Sequence, residues 1–250
     1  MHPAPHPEII AHRGFSARAP ENTLAAFEAA LSAGTDALEL DLQTAACGTP
    51  VIFHDEMLGR TTNGVGPVRR RSVAQLKILD AGSWFGEAFA HETIPTQEEA
   101  LVRLRERVGR VYQHVKGYRE MEDLDRMAAI TRENGLADVT VFVSDDWVVQ
   151  NRLRQTAPEI RRAYLVGETQ AFPEALDRAA VDEGAILNVK MELASAHPDI
   201  VAEALGAGVE VAVWTVDEAK TAARAVELGC TRITTNEVGR LLAWRESLRR

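Results

Sequence analysis

The chain has 250 residues, of which 46% are hydrophobic and 26% charged, and carries a net charge of −9. That length suits one large α/β domain, and the acidic balance disfavours nucleic acid or an anionic membrane as the main partner. Two cysteines, Cys47 and Cys230, make no disulfide framework. No apolar run is long enough for a membrane span, and the Pro-rich stretch 1–7, expected to fray, lacks the pattern of a signal peptide, so the expectation is a soluble, cytoplasmic protein without membrane insertion.

Short apolar strands are predicted at 8–12, 37–43, 111–116, 139–143, 162–166, 185–189, 209–214 and 231–235. Amphipathic helices fall between them. Thr23 or Asn22 opens the first, whose Leu24, Phe27 and Leu31 follow helical spacing up to Gly34. Thr96 and Glu99 form a capping box ahead of a helix expected to stop at Gly109. A further helix is read over 119–133, and Asp217 is expected to open another that ends at Gly229. Eight β-then-α units predict a closed (β/α)8 TIM barrel made by the whole chain, 1–250. An open doubly wound sheet is the alternative, but no Gly-rich fingerprint follows the first strand.

Residues 44–95 break the rhythm. Val51-Ile52-Phe53 follows the second strand too closely for a crossover helix, so a hairpin is expected. A Gly-rich loop, a short helix capped by Ser72 and Gln75, and the loop around Trp84-Phe85 come next. This stretch lies between strand two and its helix, which in a barrel is the active-site face. It reads as an inserted subdomain over the site. Arg69-Arg70-Arg71 within it reads as a solvated loop rather than an anion-binding lip.

The second strand carries the chemistry. In Asp36-Ala37-Leu38-Glu39-Leu40-Asp41-Leu42, the three leucines face one way and Glu39 and Asp41 the other. The two carboxylates are then about 7 Å apart along the strand. Buried, they need a cation: a divalent metal, or an Arg/Lys network. Other strand ends on the same rim present His12-Arg13-Gly14, Tyr112, His114, Lys116 and Trp214, and the insertion opens with His54-Asp55. This set suits a phosphodiester. Arg13 and Lys116 can neutralise its oxygens, a metal on Glu39 and Asp41 can stabilise developing charge, and His12 and His54 can serve as acid and base.

At these residues the chain resembles the glycerophosphodiester phosphodiesterase family. The matching text is His12-Arg13-Gly14, Pro20-Glu21-Asn22-Thr23, Glu39-Leu40-Asp41, His54-Asp55, Arg60-Thr61-Thr62-Asn63-Gly64, Ile94-Pro95-Thr96, Lys116 and Trp214-Thr215-Val216, in family order. The resemblance implies a distorted barrel with a small insertion. It implies hydrolysis of deacylated phospholipids to sn-glycerol 3-phosphate and an alcohol, with a role in lipid and glycerol metabolism. It further implies that His12 and His54 are general acid and base, that Arg13 and Lys116 hold the phosphate, and that Glu39 and Asp41 bind Mg2+ or Ca2+. Glu21 and Asn22 are assigned support of the loop after strand one.

Three positions depart from the family's pattern. Where the family's third metal-binding acid stands, this chain has His114. As a ligand, His114 favours Mn2+, Co2+ or Zn2+ over Mg2+ or Ca2+; as a bystander, it leaves Glu39 and Asp41 alone with a weakly held ion or none. Ala45-Ala46-Cys47-Gly48 keeps the glycine of the hairpin turn but loses its Asp. Asp217 stands where the family commonly has Asn. Two other readings therefore stay open: a weak phosphoester-binding relative, and a lyase that releases a cyclic phosphate. Trp84, Phe85 and Trp214 offer apolar or cation–π contacts to a choline-like headgroup, against a plain core role, and Asn188 and Lys190 are candidate polar groups on the rim.

Overall fold

The strands are buried on both faces, and their side chains alternate between a core inside the sheet and one under the helices, as a closed parallel sheet requires. The computed structural model describes residues 6–248, so most of the N-terminal stretch expected to fray lies outside the described residues. The strands are β1 (Glu8–Ala11), β2 (Ala37–Thr44), β3 (Pro50–Ile52), β4 (Arg110–Val115), β5 (Thr140–Ser144), β6 (Arg161–Val166), β7 (Ile186–Lys190), β8 (Glu210–Trp214) and β9 (Arg232–Thr235). All pair in parallel around a ring, β9 meeting β1 and β1 meeting β2, except β3, which returns antiparallel along β2. This is the predicted (β/α)8 barrel, with the hairpin on its second strand. Among the described residues no helix is long and apolar enough to cross a membrane.

The helices are α1 (Leu24–Ala33), α2 (Val73–Lys77), α3 (Gln97–Leu104), α4 (Met121–Glu133), α5 (Trp147–Thr156), α6 (Phe172–Ala180), α7 (Met191–Ala196), α8 (Pro198–Gly206), α9 (Ala219–Glu227) and α10 (Val238–Ser247). Leu38, Leu40 and Leu42 point outward into a core shared with Phe27 of α1, Leu101 of α3 and Met127 of α4. Inside the ring, Ile10, Val141, Ala163, Ile186 and Ala212 fill the lower half. Below them lies an ionic layer. Tyr112 Oη donates to Glu8 at 2.6 Å, Arg110 Nε to Glu8 at 3.1 Å, and Arg232 Nε to Glu210 at 2.9 Å. The open end of the barrel is therefore the other one, at the strand C-termini.

One local alternative is decided and two expectations are corrected. Thr23, not Asn22, caps α1, accepting from Ala26 N; Asn22 sits in the left-handed region at φ 60° and turns its side chain into the barrel. The helix opened by the Thr96/Glu99 box ends at Leu104 rather than Gly109, because Arg105 leaves helical geometry and Glu106 takes φ 63°. Asp217 does not cap α9, whose N-cap is Glu218; its carboxylate is taken by Thr235 and Asn236 instead. The Ser72/Gln75 capping box forms as expected. Residues 44–95 gather a small core of their own, including Val51, Phe53, Leu58, Leu76 and Ile94. Cys47 and Cys230 are both free. In the Cys47-Gly48 turn, Arg119 and Arg126 donate to the carbonyls of Ala46 and Cys47.

One buried ion pair sits away from the rim. Arg162 donates to Asp182 from Nε at 2.6 Å, and Tyr164 Oη donates to the same carboxylate at 2.8 Å. The Arg162 and Asp182 side chains are only 4% and 3% exposed. Removing one partner strands the other charge in low dielectric. Asp182→Ala is expected to destabilise the fold by about 3–5 kcal/mol, read as a lowered urea midpoint; a midpoint within error of the wild type would show that Arg162 needs no counter-charge.

Candidate functional site

The turn after β1 is shaped by close packing. Gly14 has φ +82°, and a Cβ there would lie 2.6 Å from the main chain of Ala26 in α1, so only glycine fits. Arg13 precedes it at φ 57°. That turn aims the Arg13 main-chain N–H at Glu39 Oε2, 2.9 Å away. The Arg13 guanidinium lies 3.1 Å from Asp41 Oδ2 and 2.6 Å from Glu21 Oε1.

Glu39 and Asp41 point inward, as the alternation predicts, and His114 on β4 faces them. Asp41 is registered against His114 across the two parallel strands. Each carboxylate commits one oxygen to the protein and turns the other to the imidazole. Asp41 Oδ2 accepts from Asn22 Nδ2 at 2.8 Å, and Glu39 Oε2 from Arg13. The free oxygens, Glu39 Oε1 and Asp41 Oδ1, each lie 3.6 Å from His114 Nδ1. Both distances are too long for hydrogen bonds, and Asp41 Oδ1 is buried with no hydrogen-bond partner. One ligand atom from each of the three residues lies within 4.8 Å of the others, so the cluster could hold a metal ion. Mixed carboxylate and imidazole donors at this spacing fit a divalent cation. The Arg/Lys alternative is present as well: Arg13 contacts Asp41, and Lys116 Nζ stands 3.9 Å from Asp41 Oδ1. Burial pushes the Glu39 carboxyl up, but His114, His12 and Arg13 outweigh it and hold it well below the usual carboxylate range.

Two histidines complete the rim, and each is oriented through Nδ1. His12 Nδ1 lies 2.7 Å from Asn236 Oδ1. Asn236 is itself fixed, since its Nδ2 and its main-chain N–H both donate to Asp217, while Ser16 Oγ donates to its Oδ1. With that oxygen as acceptor, Nδ1 is the donor of the His12 ring, and Nε2 is the nitrogen left to the cavity. His54 Nδ1 lies 2.5 Å from Asp55 Oδ1, and Arg60 Nε donates to the other Asp55 oxygen at 2.6 Å. Arg60 holds the Asp55 carboxyl down to about 2. Burial, with Arg13 and Lys116, draws His54 below its ordinary value against the opposing pull of Asp41 and Asp55. The His54 carbonyl accepts from Gln43 Nε2 at 3.2 Å, and Gly117 leaves room for that amide, since a Cβ would sit 2.2 Å from Gln43 Oε1.

His12, Arg13, Glu39, His54, His114, Lys116 and Trp214 all line one cavity of about 190 Å³, with Asp41 directly beneath. Val143, Leu165, Asn188, Thr215 and Thr234 complete its wall, and Tyr112 its floor. The Trp214 indole donates to the Asn188 carbonyl at 3.1 Å. Trp84 and Phe85 are not part of the wall: they stack edge-on at 5.6 Å, and Trp84 donates to Ala81 O. Lys190 is exposed and also outside it. Sequence reasoning missed Asn236 and Gln43. Only an expected barrel closure, which sets Asn236 of the last loop beside the first strand end, could have pointed to Asn236.

The glycerophosphoryl diester phosphodiesterase family model matches residues 12–240. A glycerophosphodiester phosphodiesterase of Caldanaerobacter subterraneus is 31% identical, covering 92% of this chain and 93% of that protein. Among solved structures, an Oleispira antarctica phosphodiesterase in complex with the product sn-glycerol-3-phosphate matches with a TM-score of 0.84 and 29% identity over 96% of this chain and 97% of its own. A glycerophosphodiester phosphodiesterase from Agrobacterium tumefaciens matches with a TM-score of 0.80 and 31% identity, covering 95% and 99%.

Proposed function

The chain belongs to the glycerophosphoryl diester phosphodiesterase family, and we propose that it hydrolyses glycerophosphodiesters to sn-glycerol 3-phosphate and an alcohol, with a divalent cation held by Glu39, Asp41 and His114. The observation that carries the proposal is the pair of carboxylate oxygens turned to one imidazole within the cavity that His12, Arg13, His54 and Lys116 also line. A bound cation would supply Lewis-acid stabilisation of the charge that builds on the phosphoryl oxygens.

The remaining roles fall to the chain's own groups. Arg13 and Lys116 bind non-bridging phosphate oxygens and fix the diester over the acidic cluster. His12, with Nε2 unprotonated, takes the proton from the glycerol hydroxyl next to the phosphoester as that oxygen attacks phosphorus and the bond to the alcohol oxygen breaks. Water then opens the cyclic phosphate to sn-glycerol 3-phosphate. His54 delivers a proton to the departing alkoxide, and Asp55 supports its charged form. His54 is 29% exposed and is carried by the segment 44–95, so this assignment sends the alcohol out on that side.

The test is phosphorus NMR of glycerophosphocholine and glycerophosphoethanolamine after chelator treatment, with Mg2+, Ca2+, Mn2+, Co2+ or Zn2+ restored singly. Turnover to glycerol 3-phosphate with at least one ion is expected. Silence with all five would remove the reading, and a lasting cyclic phosphate would make the protein a lyase. Because His114 replaces an oxygen donor with a nitrogen, Mn2+, Co2+ or Zn2+ should serve best. His114→Glu is expected to move the preference towards Mg2+ or Ca2+ by about tenfold or more in apparent affinity; an unmoved metal profile would take His114 out of the ligand set.

A further inference from the structure

The cavity wall is divided by charge. The strand ends of β1, β2 and β4 bring His12, Arg13, Glu39, His114 and Lys116. The arc from β5 to β7 brings Val143, Leu165 and Asn188, with Trp214 following on β8. Asn188 is thus the one polar side chain that β5, β6 and β7 contribute. It is 8% exposed, and its Oδ1 is buried without a hydrogen-bond partner. A buried amide oxygen left unpaired is costly, and such a group in a binding cavity calls for a ligand donor. It has no structural duty that explains it: Trp214 is held by the Asn188 main-chain carbonyl, which any residue would supply.

We propose that the Asn188 carboxamide is a specificity-determining group for the glycerol end of the substrate, pairing with the terminal hydroxyl of the glycerol. This rests on the phosphodiesterase reading above and deepens it. A glycerophosphodiester has one charged centre and an uncharged polyol. The phosphate belongs on the charged arc, and the polyol extends onto the uncharged one. Its hydroxyl next to the phosphoester stays close to phosphorus, whereas the terminal hydroxyl reaches the opposite wall. A hydroxyl both donates and accepts, so it can satisfy an amide. The Trp214 ring, Leu165 and Val143 cover the carbon skeleton beside it. The alcohol on the far side of phosphorus meets none of these groups, since it departs past His54.

The experiment compares kcat/KM for two substrates of the metal-loaded enzyme: glycerophosphocholine, and the phosphocholine ester of propane-1,2-diol, which lacks only the terminal hydroxyl. The wild type is expected to prefer the glycerol ester by about 10- to 100-fold, the range of one buried hydrogen bond left unmade. Asn188→Leu should lose about that factor on glycerophosphocholine while its rate on the propanediol ester stays within about threefold, so that the preference collapses. Asn188→Ser, smaller and still polar but too short to reach, should collapse it too, and reports on the idea if the leucine variant does not fold. A parallel fall on both substrates, or a preference retained in both variants, would overturn the assignment. Failure of the wild type to cleave either ester would instead bring down the phosphodiesterase reading, and this proposal with it.

Discussion

His12→Ala is expected to lower kcat/KM on glycerophosphocholine by about 10²–10⁴-fold, the usual contribution of a positioned acid–base group. The expectation rests on a chain of contacts that leaves His12 little freedom. Asp217 accepts two hydrogen bonds from Asn236, at 2.7 and 2.9 Å, and Asn236 Oδ1 receives His12 Nδ1 at 2.7 Å. The His12 main-chain N–H adds an anchor on Thr235 O at 2.9 Å. A ring held at Nδ1 presents Nε2 to the cavity in one tautomer only. Asn236→Ala should therefore cost less than loss of the imidazole, about 10- to 100-fold, mostly in kcat. A near-normal rate for His12→Ala would end its role as base. A normal rate for Asn236→Ala alone would show that the ring is positioned well enough by its main chain.

Asp41→Asn is the second large effect. Asp41 is 1% exposed and is the point on which the site converges: Asn22 and Arg13 meet its Oδ2, while His114 and Lys116 face its Oδ1. The amide keeps the shape but removes the charge, and it turns one acceptor into a donor aimed at a cation. We predict a loss of divalent-cation affinity of about 10²-fold or more, followed by calorimetric titration of the chelator-treated protein, together with a matching fall in turnover. Unchanged cation binding would place the ion away from this cluster.

Much of this was legible in the sequence because it depends on period two. Leu38, Leu40 and Leu42 against Glu39 and Asp41 require only that the segment be a strand with one greasy face. The same logic set His114 and Lys116 on the inner side of β4. What escaped depends on closure. Asn236 and His12 are 224 residues apart and meet only because β9 pairs with β1. Asp217 carries the residue type of a helix cap, yet the neighbouring Thr235 and Asn236 compete for its carboxylate and win. Trp84 and Phe85 read as possible headgroup contacts because loops over a barrel mouth often bind ligands. They stack edge-on instead, Phe85 between Trp84 and Phe89, with Trp84 still 44% exposed, and none of the three lines the cavity. Asn188 was visible as a polar residue on an apolar strand, but that its amide lacks a partner is a fact of packing.

Arg60 gives the segment 44–95 a mechanical meaning. Its guanidinium grips Asp55 on one side and Glu21 on the other, at 2.6 and 2.7 Å. Asp55 steadies His54, and Glu21 steadies Arg13. One side chain thus yokes the proposed proton donor, His54, to the proposed phosphate-binding residue, Arg13. A shift of the segment would therefore disturb the supports of both at once.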